Sequence, residues 1–466
     1  MPHLLISAAH KSSGKTTLTT GLCAALTARG LEVQPFKKGP DYIDPLWLSA
    51  ATTRACINLD FYIQSDAEIA ACFAERMVGA DIGLIEGNKG LYDGMDLDGG
   101  NSNAALARLL GTPVVLVIDT QGMTRGIAPL LQGYLNFESG IQFAGVILNK
   151  VGGSRHEGKL RRVIEHFTDL EVLGAVGRHQ DLQVAERHLG LIPSNEAADA
   201  GARIARFAEI VAAEVDLDRL IAKAGLAAPL PPRGPRAAVS SRPADIRIGY
   251  ARDAAFSFYY PDDLAVLEDA GAELVPIDTL NDAHLPPIDG LLLGGGFPET
   301  NMKALEANQS LRNDIRTAIR NGLPAYAECG GLMYLAERIV WNGSSAEMVG
   351  VIKGDAVMFE RPRGRGYVRL SETADHPWPR LPGEEDRSEG EAAVIPAHEF
   401  HYSLLENGAS DQVYAYDVLR GAGLDGRHDG IVQHNLLAGY THMRNVGGNN
   451  WARRFADFVR QCKAKR

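Results

Sequence analysis

Cysteine is scarce. The 466-residue chain has five, at Cys23, Cys56, Cys72, Cys329 and Cys462. Their odd number and lack of metal-ligand spacing exclude a disulfide framework and a zinc knuckle. A basic excess is also missing: 47 Lys and Arg stand against 58 Asp and Glu, a formal charge of -11. A general nucleic-acid binder needs a broad basic face, so nucleic acid is not expected as a partner. Anionic ligands stay open where basic residues gather locally. No uncharged apolar run approaches bilayer length, and the first residues lack the basic and apolar regions of a signal peptide, which predicts a cytoplasmic protein without membrane contact. Low complexity is confined to residues 227–245, where Pro229, Pro231, Pro232, Pro235 and Pro243 crowd together in the manner of an interdomain linker.

On either side of that segment the chain reads as α/β. Short apolar runs alternate with amphipathic stretches: Leu4 to Ala8, Ile82 to Ile85, Val114 to Ile118, Phe143 to Leu148 and Val172 to Val176. Near-continuous apolar strands separated by helices indicate a parallel sheet covered on both faces. The same grammar restarts with Ile246 to Tyr250, Glu273 to Ile277, Gly290 to Leu293 and Leu323 to Ala327. The expected organisation is two tandem domains, residues 1–226 and 246–466, joined by the linker.

The segment Ala8-Ala-His-Lys-Ser-Ser-Gly-Lys-Thr-Thr17 follows the first strand and opens a helix marked by Leu18, Leu22, Ala25 and Leu26. Strand, glycine-bearing loop and helix in register are what a phosphate-binding loop requires, although Ala9 stands where the strict spacing has glycine. Gly14, Lys15, Thr16 and Thr17 are therefore read as ATP-binding. Lys15 would reach the terminal phosphates, and the Thr16 hydroxyl would ligate Mg2+. Glu86 ends an apolar strand at the sheet edge where such enzymes carry ligands, and is a second candidate for the metal. Asp119 and Asn149 end two further strands. The first reads equally as a helix cap, and the second as a turn residue or a partner for adenine. Lys37-Lys-Gly-Pro-Asp-Tyr-Ile-Asp-Pro45 packs two lysines, two aspartates and two prolines into nine residues, and reads as a functional loop for anionic groups or metal.

In the second domain Leu323-Pro-Ala-Tyr-Ala-Glu-Cys-Gly-Gly-Leu-Met-Tyr-Leu335 reads as strand, sharp turn and helix, with Cys329 at the turn and small Ala327 and Gly331 around it. This is the elbow that projects a nucleophile from a sheet edge. Gly294, Gly295 and Gly296 follow another strand and offer backbone N–H groups to an oxyanion. His442, at the end of the strand-like Leu436 to Thr441, is the expected base, ahead of His398, His401 and His434. Arg444 stands two residues later, so no acid close in sequence orients the imidazole; Glu399 is left open for that part.

A phosphate loop joined to a cysteine elbow divides the labour of amide synthesis: one domain activates a carboxylate with ATP, the other releases ammonia from glutamine. Several stretches in order carry a close resemblance: Gly39 to Pro45, Glu86 to Gly94, Glu186 to Pro193, Ala251 to Pro261, Gly294 to Glu299, Ala327 to Leu335 and His398 to Ser403. Over essentially its full length the chain resembles the cobyrinate (hydrogenobyrinate) a,c-diamide synthase family.

The resemblance implies a dethiobiotin-synthetase-like P-loop domain followed by a class I glutamine amidotransferase domain of the type that has Cys and His but lacks the usual third acid. It implies Cys329 and His442 as the catalytic pair, Thr16, Asp41 and Glu86 about Mg2+, and Lys37, Asp41, Tyr42, Asp44 and Tyr92 about the substrate. It also implies glutamine, ATP and an anionic tetrapyrrole as reactants, with a homodimer as the assembly to test. The substrate's many carboxylates would give purpose to Lys37, Lys38, Lys89 and the run Arg361, Arg363 and Arg365. Ser12 and the stretch Thr441 to Asn450 are similar to the sirohaem amidase branch, which makes sirohaem the alternative macrocycle. A partition-type ATPase switch with an inactive amidase domain is the alternative of another class.

Overall fold

The structure is a computed structural model that describes residues 1–182, 186–187, 190–197, 199–230, 242–382 and 394–466. Most of the expected linker and residues 188 and 189 of the 186–193 stretch lie outside them. The chain divides into two compact units, residues 1–236 and 237–466.

The first unit is built on seven parallel strands: β1 (His3–Ala8), β2 (Val33–Lys38), β3 (Ile57–Leu59), β4 (Ile82–Glu86), β5 (Val114–Asp119), β6 (Phe143–Val151) and β7 (Val172–Gly177). They lie in the order 3-2-4-1-5-6-7. β1 is buried along its whole length, as its sequence demands of a central strand. Leu5, Phe36, Ile85, Leu116 and Val146 from five adjacent strands share one core. Because all strands run the same way, their C-terminal ends collect at one edge. The register places Lys37 beside Glu86, Glu86 beside Ile6, and Asp119 beside Asn149. Strands β2 and β3 are additions to the sequence reading. Lys37 and Lys38 accordingly close a buried strand, Ile43 to Pro45 open the helix Ile43–Ala50, and only residues 39–42 of the expected loop lie between them.

The second unit carries a nine-stranded sheet. Its parallel half runs Ala272–Ile277, Ile246–Ala251, Gly290–Leu293, Ala325–Glu328 and Leu436–Gly439. From there the sheet continues antiparallel through His428–Gln433, Val413–Arg420, Gly364–Glu372 and Val394–His401. One core packs Leu291, Ile315, Ile319 and Leu332; the other packs Ile248, Leu437, Phe455 and Val459. Register pairs Leu293 with Ala327 and Glu328 with Gly439, so the residues after these three strands meet at one edge. They are Gly294 to Gly296, Cys329, and the segment leading to His442.

Candidate active sites

The phosphate loop turns into α1 (Lys15–Ala28) through Gly14, which takes φ +87°. A Cβ there would lie 2.3 Å from Asn149 Nδ2, so both conformation and space require glycine. No side chain caps α1 and its first turn holds no acid, which leaves the N-terminal N–H groups and the positive end of the helix dipole for an anion. Asn149 donates from Nδ2 to Ser13 O at 2.8 Å and so braces the loop. Asp119 is not a metal ligand in this arrangement: it pairs with Lys150 Nζ at 2.7 Å, and Lys150 also reaches Ser12 O. Beside the loop, a cavity of about 300 Å³ is lined by Gly14, Thr17, Asn149, Lys150, Arg178 and Leu182, large enough for a nucleotide base.

Behind the loop lies a buried charge cluster. Thr16 donates to Glu86 Oε1 at 2.6 Å. Lys37 Nζ sits 2.5 Å from Asp44 Oδ2, 3.1 Å from Glu86 Oε1 and 3.7 Å from Asp41 Oδ2. Burial disfavours the Lys37 charge, but the three carboxylates outweigh it and hold the ammonium well above its ordinary range. Burial likewise raises Glu86, and it raises Asp41 to about 7 with help from Asp44. Glu86 Oε2 is buried and has no hydrogen-bond partner. An orphaned carboxylate oxygen beside a hydroxyl and further carboxylates suits a hard divalent cation. Among the described residues no three acidic, histidine or cysteine side chains form a ready cage. Magnesium fits this pattern, since it takes few protein ligands and completes its shell with phosphate and water.

Burial lowers Lys15 to about 8, and its ammonium donates to Lys89 O at 2.6 Å. Lys89 holds φ +39° and Ser12 +62°, left-handed conformations unusual for residues with a Cβ. Lys38 donates to Asn88 and to the Asn101 carbonyl. Of the residues assigned to substrate, Asp41 caps the backbone of Ile43 and Asp44 through Oδ1, and Tyr42 is buried. Tyr92 donates its hydroxyl to Tyr134 O and packs its ring on Phe137. These roles are structural as they stand, and leave Lys37, Asp44 and Glu86 at the centre of the cluster.

In the second unit Cys329 takes φ +48° and ψ -103°, the strained turn expected of an elbow, between strand Ala325–Glu328 and helix Gly330–Leu335. Cys329 is an electrostatic partner of His442 at this edge. Gly295 lies against the imidazole: a Cβ there would stand 2.6 Å from His442 Cε1. Gly294 already donates its N–H to Tyr259 Oη at 2.9 Å, which takes it out of the expected oxyanion set. Gly330 packs on the backbone of Gly296, so the remaining glycines stay beside the elbow.

Glu399 does not orient His442; its carboxylate accepts from Ala422 N and Gly423 N. Arg444 is buried, pairs with Asp262 at 2.8 Å and lies over the Tyr260 ring. The residue missed by sequence reasoning is Glu328, whose Oε2 lies 3.4 Å from His442 Nδ1. Burial opposes charge on His442, but its interactions with Cys329 and Glu328 prevail and push its pKa up to about 10. His398 stacks on it at 5.0 Å and is driven the other way by burial and by the charges of His442 and Arg444. Of the arginine run, Arg363 covers the Phe359 ring and Arg365 the Phe400 ring.

A phosphate loop backed by buried carboxylates on one sheet, and a strained cysteine beside a buried histidine on another, define a ligase that couples nucleotide chemistry to a glutamine amidotransferase. The family described as the CobQ/CobB/MinD/ParA nucleotide binding domain matches residues 5–192, and the CobB/CobQ-like glutamine amidotransferase domain matches residues 247–449. The chain is 46% identical to the cobyrinate a,c-diamide synthase of Magnetococcus marinus, across 99% of this chain and 98% of that one. It is 39% identical to the enzyme of that name from Methanosarcina acetivorans, across 100% and 97%. The Archaeoglobus fulgidus enzyme of the same name is also 39% identical, across 98% and 97%. The chain belongs to the cobyrinate a,c-diamide synthase family.

Proposed function

We propose that the protein amidates the a and c acetate carboxylates of cobyrinate with ammonia from glutamine, at the expense of ATP, in the cytoplasm. The observation that carries this reading is the coexistence of two complete sites in a chain similar over its whole length to enzymes of that name. Residues 1–226 serve synthesis, 227–245 link, and 246–466 serve glutamine.

In the second domain the Cys329 thiol passes its proton to His442, and the thiolate attacks the side-chain amide of glutamine. The Gly295 to Gly296 backbone beside Gly330 stabilises the oxyanion. The imidazolium gives its proton to the departing ammonia; the neutral ring then takes one from water, which cleaves the thioester to glutamate and frees the thiol. In the first domain the α1 N-terminus and Lys15 hold the phosphates while a substrate carboxylate attacks the terminal one, breaking its bond to the bridging oxygen and releasing ADP. Ammonia displaces phosphate from the resulting acyl phosphate. Thr16 and Glu86, with Asp41 beside them, would hold magnesium, which neutralises phosphate charge when bound.

The test is anaerobic incubation with ATP, magnesium and glutamine, offering cobyrinate and sirohaem separately and counting amides by mass spectrometry. Two amides on cobyrinate are expected. Two on sirohaem and none on cobyrinate would reverse the assignment. ATP hydrolysis indifferent to glutamine and to both macrocycles would revive the switch reading, which the intact elbow disfavours. Size-exclusion chromatography with light scattering tests the homodimer.

A further inference from the structure

A carboxylate beside a catalytic histidine fixes its tautomer, and here the position two residues after the histidine is filled by Arg444, which is paired with Asp262. We propose that Glu328, the residue immediately before the nucleophile, is the positioning residue that orients His442 and stabilises its charged form.

The geometry is specific. Glu328 is buried at the end of its strand, and its Oε1 accepts from Tyr326 Oη at 2.6 Å and from Met443 N at 2.9 Å. Those two donors fix the carboxylate plane and tie it to the residue that follows His442. The second oxygen, Oε2, is thereby turned toward Nδ1 at 3.4 Å, long for a hydrogen bond but within ion-pair range. Such contacts tighten when the reacting complex forms. The other carboxylates of this region are engaged elsewhere: Asp429 accepts from Tyr440 N and Thr441 N, and Asp263 from Asn445 N and Trp451 Nε1. The charged or titratable groups facing His442 are Glu328 from its strand, Cys329 from the elbow and His398 from the strand Val394–His401, with Arg444 two residues on. Among the described residues, Glu328 is the carboxylate within ion-pair range of His442.

The consequence is electrostatic and tautomeric. With Nδ1–H donated to Glu328, Nε2 is left to take the thiol proton of Cys329; Glu328 keeps its negative charge and the proton stays on the ring. This inference rests on the glutaminase reading above and adds the acid that the family resemblance leaves out.

The discriminating variant is Glu328→Gln, nearly the same in shape. Its amide oxygen still accepts from Tyr326 and Met443, so its N–H2 faces Nδ1 and selects the tautomer that carries hydrogen on Nε2. In the full chain, glutamine hydrolysis should fall by about 100-fold or more in kcat, with KM changed by less than about threefold. The alkaline limb of kcat/KM should move to lower pH, because loss of the carboxylate makes the imidazolium easier to deprotonate. Glu328→Asp should restore part of both. Wild-type kcat and pH profile in Glu328→Gln would overturn the proposal, as would a change in KM alone. Should Glu328→Gln unfold, as read by its Tm, 15N shifts of His442 in the wild-type chain decide: hydrogen on Nδ1 at pH 8 supports the proposal, a neutral ring with hydrogen on Nε2 overturns it. A Cys329→Ser chain that still hydrolyses glutamine would refute the glutaminase reading itself, an outcome distinct from failure of the Glu328 assignment.

Discussion

Lys15 and Lys37 stand on the same sheet edge in opposite electrostatic circumstances. Lys15 is depressed by burial and tied to a neutral carbonyl, so an incoming phosphate gains a partner that no carboxylate already holds. Lys15→Ala should therefore lower amide synthesis by about 100-fold or more with glutamine and with ammonium alike, while glutamine hydrolysis persists. Product counts with each nitrogen donor check this. Lys37 is ringed by Asp41, Asp44 and Glu86. Lys37→Met would strand those charges in the interior, and the first unit should lose about 3–5 kcal/mol of stability in denaturant unfolding. The sequence displayed Lys37 as one charge in a charged loop. Its burial was not legible there, because one of the carboxylates that compensate it, Glu86, arrives from β4, nearly fifty positions along the chain. Glu328 escaped for a related reason: neighbours on a strand face opposite ways, and only the strained turn at Cys329 brings both side chains to one imidazole.

At the scale of elements, what was readable followed burial on both faces. β1, β4 and β5 are continuous apolar runs, and the structure extends each by only a residue at one end. β2 reads Val-Gln-Pro-Phe-Lys-Lys, without alternation or an apolar run, yet is buried throughout because Gln34 donates to the Pro35 and Ala55 carbonyls and the two lysines are satisfied at the active-site cluster. The antiparallel half of the second sheet was hidden too. The strand Gly364–Glu372 mixes glycine and arginine with exposed positions, as a half-solvated strand does. The loop that turns into α1 carries the prediction that belongs here. Gly14→Ala must place a methyl group on Asn149 and hold a left-handed conformation, which costs about 1–2 kcal/mol for the backbone alone. ATP affinity measured by calorimetry should drop sharply, and glutamine hydrolysis should not. Unchanged ATP binding would mean that the loop does not hold the phosphates as described.

The whole molecule is two α/β units, each with its own core and each with a candidate site at a sheet edge. Neither site shares a residue with the other, so the account requires two separable half-reactions: release of ammonia at Cys329 and its capture at a carboxylate activated behind Lys15. The acidic total is compatible with an anionic substrate because Lys15 and Lys38 stand at the phosphate site bonded to neutral groups rather than to carboxylates. The most direct measurement is the nitrogen-donor dependence of Cys329→Ser, scored as amides formed on cobyrinate with ATP and magnesium. The account predicts no amide from glutamine and near wild-type amide formation from high ammonium. A folded Cys329→Ser enzyme that fails with both donors, or succeeds with glutamine, would contradict it.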